Sequence, residues 1–187
     1  MANTPLDKQQ VEDLVEKAQK GDTEAFGKLY DLFVDPLHRY IFFRIGKEEA
    51  LDMTENVFLK IWQALKSYKI GSLKFSSWIF RIAHNAVVDY YRLHKENLPL
   101  SFDLPETKRS HDPVVLTEQK MSHEVLQKAM TQLNKKYQQI ITLKYINELD
   151  NDEIARILNR NEGSLRILKF RALKALKKIL ESMNMHY

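Results

Sequence analysis

The amino-acid sequence predicts an all-α protein: two small helical domains joined by a flexible linker, the second a four-helix domain containing a helix-turn-helix. Three observations predict it. Apolar residues recur at i, i+3, i+4 and i+7 over most of the 187 residues, the spacing of one helix face. Gly and Pro number five each, too few for the turns of an all-β chain of this length. Pro99, Pro105 and Pro113 crowd into residues 97–117 among Asp, Glu and Ser, which reads as an extended tether between domains at 1–96 and 118–187.

The elements are taken from the N-terminus. Residues 7–20 place Val11, Leu14, Val15 and Ala18 on one face. Gly21 breaks that helix, and Asp22 or Thr23 can cap the next. Residues 24–45 carry large apolar groups, with Pro36 expected at a break or kink. A third helix, about 49–67, carries Leu51, Val57, Phe58, Ile61, Trp62 and Leu65. Residues 68–74 read as a loop. A fourth helix, about 75–95, holds Trp78, Ile79, Ile82, Ala83, Ala86, Val87, Tyr90 and Tyr91, with Trp78 and Ile82 expected inside. Helical periodicity resumes near 118, and Tyr137 to Tyr145 read as one helix.

Composition excludes several classes. Hydrophobic residues at 44% and charged residues at 29% are enough for a core, so the chain is not a disordered one. The absence of Cys removes disulfides, thiolate nucleophiles and cysteine-ligated zinc. The polar first ten residues lack a signal-peptide core, and no stretch reaches the ~18 apolar residues of a membrane span. A soluble, cytoplasmic protein without membrane insertion is expected. The six His lack ligand spacing, and no P-loop, GxGxxG or GxSxG occurs. Neither catalytic residues, nor a cofactor, nor a metal is expected, and the chain does not read as an enzyme.

The net charge of +4 is mild, so its distribution matters more than its size. Asp150 precedes Glu153 by three residues, the spacing of a capping box, and a short helix comes next with Ile154, Ala155, Ile157 and Leu158. Asn159 tolerates the left-handed conformation of a helix end, and Asn161 can cap a further helix. From Gly163 to Leu180 there are six basic residues and no acidic one. Leu165, Leu168, Ala172, Leu176 and Ile179 suit a buried stripe. A short helix, a tight turn and a basic second helix make a helix-turn-helix whose second helix fits the major groove. Arg166 and Arg171 can pair with guanine or phosphate, and Ile167 and Phe170 can meet a thymine methyl. A solvated basic helix would show the same charge; the capped turn before it favours DNA.

Two features stand out nearer the N-terminus. Glu48, Glu49, Asp52 and Glu55 form an acidic patch, with Asp52 and Glu55 on one face. They suit either a basic partner or the positive end of their own helix. Residues 66–95 interleave Lys66, Lys69, Lys74, Arg81, Arg92 and Lys95 with aromatics, a pattern that suits single-stranded nucleic acid as well as a core. Asn85 and Asp89 can share a polar stripe with Arg81 and Arg92.

Together these residues resemble a known family. Ala18-x-x-Gly21-Asp22-x-x-Ala25-Phe26 is similar to the opening motif of the extracytoplasmic-function (ECF) sigma factors of bacterial RNA polymerase. Asp52-Met-Thr-Glu-Asn-Val-Phe58 with Trp62 resembles their second-region helix. Phe75-Ser-Ser-Trp78-Ile-Phe-Arg81-Ile-Ala83-His-Asn85 with Asp89-Tyr90 resembles their promoter-opening and −10-reading segment. Glu153-Ile-Ala155, Glu162-Gly163-Ser164-Leu165 and Arg171-Ala172-Leu173 resemble their fourth-region helix-turn-helix. The motifs keep the family's order along nearly the whole chain.

The resemblance implies a factor that binds core RNA polymerase and promoter DNA and is itself bound by an anti-sigma factor. Asp52, Glu55 and Asn56 would meet the clamp of the largest polymerase subunit, and the fourth region the flap. Lys69, Ser72, Lys74, Arg81, Asn85, Asp89 and Arg92 would face the −10 element, loop 69–74 holding a flipped base. Ser164, Arg166, Ile167, Phe170, Arg171 and Lys174 would face the −35 major groove. Glu55 and Asn56 stand where the family often has Gln and an acid. A stand-alone helix-turn-helix regulator is the alternative, and it leaves the N-terminal motifs unexplained.

Overall fold

A computed structural model describes residues 8–94 and 125–184, and every regular element among them is helical. Helix α1 (Lys8–Gln19) buries Val15 and Ala18 and stops at Gly21, whose φ of 97° suits a residue without a Cβ. Helix α2 (Thr23–Ile45) starts at Asp22, whose carboxylate accepts the Ala25 N–H at 3.0 Å. It runs unbroken through Pro36, against the expected break. Proline removes one hydrogen-bond donor, but Leu37, Tyr40 and Ile41 directly after it are wholly buried, and that packing keeps the helix together.

One residue, Gly46 at φ 96°, separates α2 from α3 (Lys47–Ala64). Helix α3 tightens into a 3₁₀ turn, Leu65–Ser67, which the Gln19 side chain ties to α1 by donating to the carbonyls of Leu65 and Tyr68 at 2.9 and 2.7 Å. Helix α4 (Phe75–Leu93) comes after a short loop. Trp78 and Ile82 are half-buried on it and pack against the core.

The expected linker at 97–117 and the helix start near 118 lie outside the described residues. Helix α5 spans 125–132 and buries Ala129 and Met130. Helix α6 (Lys135–Ile141) is capped by Asn134, which accepts the Tyr137 N–H at 3.0 Å. The single helix expected to Tyr145 changes winding here: Thr142–Ile146 forms a π-turn, and Asn147 N–H reaches back to the Thr142 carbonyl at 3.0 Å. Glu148 at φ 54° then ends the segment. Helix α7 (Asn151–Ile157) ends at Asn159, left-handed at φ 50°, where Arg160 N–H closes on the Ala155 carbonyl at 2.8 Å. Helix α8 (Glu162–Asn184) begins behind Asn161, whose side chain accepts the Ser164 N–H at 2.8 Å.

Buried apolar side chains from α1 through α8 form one contiguous cluster. Tyr40 and Phe42 of α2, Ile61 of α3, Ile79 and Phe80 of α4, and Ile140 of α6 are among its largest fully enclosed members. Leu51 and Trp62 are not core, contrary to what helical periodicity suggests: they are 60% and 39% exposed, and Trp62 covers itself by its edge contact with Phe26 at 4.6 Å. Truncating Ile61 to Ala should cost about 2–5 kcal/mol in urea unfolding. Leu59→Ala, on the exposed side of the same helix, should stay within about 0.5 kcal/mol.

Candidate nucleic-acid interface

Helix α4 has two separate sides. Arg81, Asn85, Asp89 and Arg92 recur every three or four residues as a single polar stripe directed to solvent. Arg92 reaches Asp89 at 3.2 Å on that stripe. Ser77, His84 and Tyr91, seven apart, point instead at α6 and α7. The loop before α4 is a tight turn: Ser72 bonds the Lys69 carbonyl through both its N–H (3.2 Å) and its hydroxyl (2.7 Å), around Gly71 at φ 83°. Lys69 and Ser72 are exposed there, and Ile70 stands 40% exposed between them. Tyr68, packed edge-on to Phe75 and tilted against Trp78, anchors the turn by donating to the Leu73 carbonyl at 2.6 Å.

Lys74 stands apart from this group. Its ammonium sits 2.7 Å from Asp150 and 3.6 Å from Glu153 at the start of α7. Donation to Asp150 raises the Lys74 pKa and lowers that of Asp150 from their ordinary values.

On α3, Asp52, Glu55 and Asn56 are exposed together, beside Leu59 at 59% exposure. Together they make a mixed acidic and apolar strip on the exposed side of α3. Leu59 escapes a reading of the sequence because periodicity alone does not tell an exposed leucine from a buried one.

Helix α8 buries Leu165 and Ala172 and half-buries Leu168, Leu176 and Ile179, the stripe its spacing predicts. Arg166, Ile167, Phe170, Arg171 and Lys174 face outward, Phe170 being 66% exposed, with Ser164 half-buried at the turn. Ser164, Ile167 and Arg171 line one wall of an open cleft of about 730 Å³. Lys135, Lys136 and Arg160 also line it, and the lining residues include no carboxylate. These three cations escape a reading of the sequence because α6 and the turn come together with α8 only in the fold. Among the described residues, no group of His, Asp and Glu is placed to hold a metal, and no helix is long and apolar enough to cross a membrane.

At the junction of the two sets of helices lies a half-buried imidazole. The Gln139 amide of α6 lies 2.6 Å from His84 Nδ1, and the Tyr40 hydroxyl of α2 lies 3.2 Å from it. Both can donate only to an unprotonated Nδ1. Burial, and after it the charges of Arg44 and Arg81, lowers the His84 pKa from 6.5 to about 4. Nearby, Tyr91 is held between two cations, with Arg44 5.5 Å and Lys135 4.6 Å from its ring. Buried Arg44 also donates to the Lys135 carbonyl.

An all-helical chain that presents a basic, aromatic-anchored loop and a helix-turn-helix belongs to the nucleic-acid-binding proteins that read DNA with helices. Family comparison is specific. The model for sigma-70 region 2 matches residues 29–96, and the model for sigma-70 region 4 matches residues 123–176. The ECF RNA polymerase sigma factor SigW of Bacillus subtilis is 30% identical over 183 residues, covering 90% of this chain and 96% of that one. The ECF RNA polymerase sigma factor BldN of Streptomyces coelicolor is 34% identical over 173 residues, 90% of this chain. This chain spans 65% of the length of BldN. CnrH, solved in complex with the cytosolic domain of CnrY, shares the fold with a TM-score of 0.68 at 21% identity, over 92% of this chain and 98% of that one. The chain belongs to the ECF sigma factors of RNA polymerase.

The His84 geometry predicts a pH response. The unfolded imidazole protonates near 6.5 and the folded one near 4, so acid between those values favours the unfolded chain. Stability attributable to this group should therefore be complete at neutral pH and fall as pH drops from 6.5 towards 4. Urea unfolding of wild type and His84→Gln across that range should show the slopes differing by a total on the order of 1–3 kcal/mol. Parallel curves would remove His84 as the cause.

Proposed function

We propose that this protein docks on core RNA polymerase, directs it to promoters with two elements, and assists opening of the −10 region. It acts by binding and carries out no reaction of its own, in the cytoplasm where the polymerase is. The observation that carries this is the pair of exposed basic faces on one chain: the α4 stripe with its loop, and α8 with its cationic cleft. A stand-alone regulator would need the second alone.

Residues 1–96 form the polymerase-binding and −10 domain, 97–117 the linker, and 118–187 the −35 domain. Asp52, Glu55 and Asn56, with Leu59, meet the clamp; the C-terminal domain meets the flap. Lys69 and Ser72 frame a pocket for one unpaired base, and Arg81, Asn85, Asp89 and Arg92 track the strand it leaves. Extracting a base costs a few kcal/mol, which polar contacts of the loop to that base and phosphate contacts along the stripe offset. Arg166 and Arg171 read base edges or phosphate, Ile167 and Phe170 meet thymine methyls, and Ser164 and Lys174 fix register. Lys135, Lys136 and Arg160 supply further phosphate contacts in the cleft. Exposed Ile167, Phe170 and Leu173 also suit an anti-sigma factor, and CnrH, which has this fold, was solved with a protein partner bound.

Transcription in vitro with core polymerase on genomic templates tests the proposal. Promoter-dependent initiation should appear only when the protein is added, and its absence on every template overturns the reading. Arg171→Ala should weaken promoter binding by about 1–3 kcal/mol, some 5- to 150-fold. Lys136→Ala should lower affinity for all duplexes alike and reduce the slope of log K against log salt by about one.

A further inference from the structure

The turn that carries Lys69 and Ser72 is tied at both ends. At its entry, the half-buried Gln19 of α1 donates from its amide to the Leu65 and Tyr68 carbonyls at 2.9 and 2.7 Å. These carbonyls sit at the end of the 3₁₀ turn, where a helix needs donors from outside itself. At its exit, the Tyr68 hydroxyl donates to the Leu73 carbonyl at 2.6 Å. Tyr68 is therefore held at its backbone by α1 and holds the far side of the loop by its side chain. Residues 69–72, between these ties, are folded back by the two bonds from Ser72 to the Lys69 carbonyl.

Packing does not account for the polar atoms of either residue. Tyr68 is 5% exposed, with its ring 5.3 Å from Phe75 and 5.1 Å from Trp78, contacts that a phenylalanine ring would make equally well. The hydroxyl is what differs, and a covered hydroxyl has to be bonded. Its bond goes to the loop. Gln19 likewise sends its amide to carbonyls 46 and 49 residues away, at the loop's other end. A loop shaped before its ligand arrives loses less freedom on binding. It also discriminates between ligands, whereas a loose loop adapts to several.

We propose that Tyr68 and Gln19 are positioning residues for base capture. Without touching DNA, they hold loop 69–72 in the shape that accepts one unpaired base, and so set how strictly that base is chosen. This role rests on the −10 reading above. It acts through the exposed Lys69 and Ser72, whose places are fixed by where the chain enters and leaves the turn.

The test offers holoenzyme, reconstituted with the full-length protein, a pool of single-stranded DNA randomised over the −10 segment, and sequences the retained strands. The parent should select one base strongly at one position. Tyr68→Phe keeps the ring and loses the hydroxyl; Gln19→Leu loses the amide. Each should lower the preference at that position about 3- to 10-fold, the net contribution of roughly one hydrogen bond, and leave binding to a −35 duplex as in the parent. Amide hydrogen exchange over residues 69–73 should quicken in both. Ser67→Ala removes a hydroxyl bond to the Ala64 carbonyl on the same 3₁₀ turn, away from the loop, and should move neither readout. A purely structural role would lower retention of all strands alike and spare the choice of base. Tyr68→Phe keeps its ring contacts, so it carries the test if Gln19→Leu fails to fold. Base preference unchanged in Tyr68→Phe, preference lost without faster exchange, or an equal loss in Ser67→Ala overturns the positioning role while the −10 reading stands. A parent with no preference at any position overturns the −10 reading itself, and the positioning role with it.

Discussion

A carboxylate taken out of water has to collect donors, and Glu153 collects them from two directions. Its backbone-facing oxygen holds the N–H of Asp150, the residue that caps α7. The far end of α7 is set separately, by left-handed Asn159 and the Arg160 N–H that closes on the Ala155 carbonyl. Its other oxygen fixes α7 against α4. The first helix of the helix-turn-helix is thus fixed against α4 by an acidic residue.

Helix α4 meets a comparable demand within 19 residues. It has to supply core residues such as Ile79, Phe80, Ala83 and Val87, a junction side at Ser77, His84 and Tyr91, and a solvent stripe at Arg81, Asn85, Asp89 and Arg92. A 3.6-residue repeat lets three lists share one helix without conflict. It also explains the resting state of His84: the residue is half-buried where two cations sit near, so it stays neutral at neutral pH and its Nδ1 accepts from the Gln139 amide. The aromatic residues divide in the same way. Tyr68, Phe75 and Trp78 brace the loop from beneath, while the loop's own exposed side chains remain polar apart from Ile70.

Local chemistry is readable in the sequence and distant contacts are not. The caps at Asp22, Asn161 and the Asp150–Glu153 pair, the left-handed Asn159, and the buried stripe of α8 all come from side chains interacting over short stretches of one helix. Pro36 misleads because its local penalty is outweighed by the packing of Leu37, Tyr40 and Ile41. Leu51 and Trp62 mislead for the converse reason, since helical spacing reports a face and not what covers it. The π-turn at Thr142–Ile146 has no signature in residue type, since its apolar spacing reads as a continued α-helix. The Glu153 seam unites residues 76 and 77 positions apart, and the cationic cleft draws on α6, the turn and α8 together, separations no motif spans.

The exposed apolar groups of α8 carry a consequence for handling the protein. Phe170 and Ile167 sit among six basic residues on one helix, so like charge keeps copies of that face apart in dilute buffer. The Debye length shrinks from about 30 Å at 0.01 M salt to about 3 Å at 1 M. Salt therefore removes the repulsion while leaving the apolar attraction in place. Ionic strength that would wash nucleic acid off this helix is also the condition under which the bare helix is least soluble.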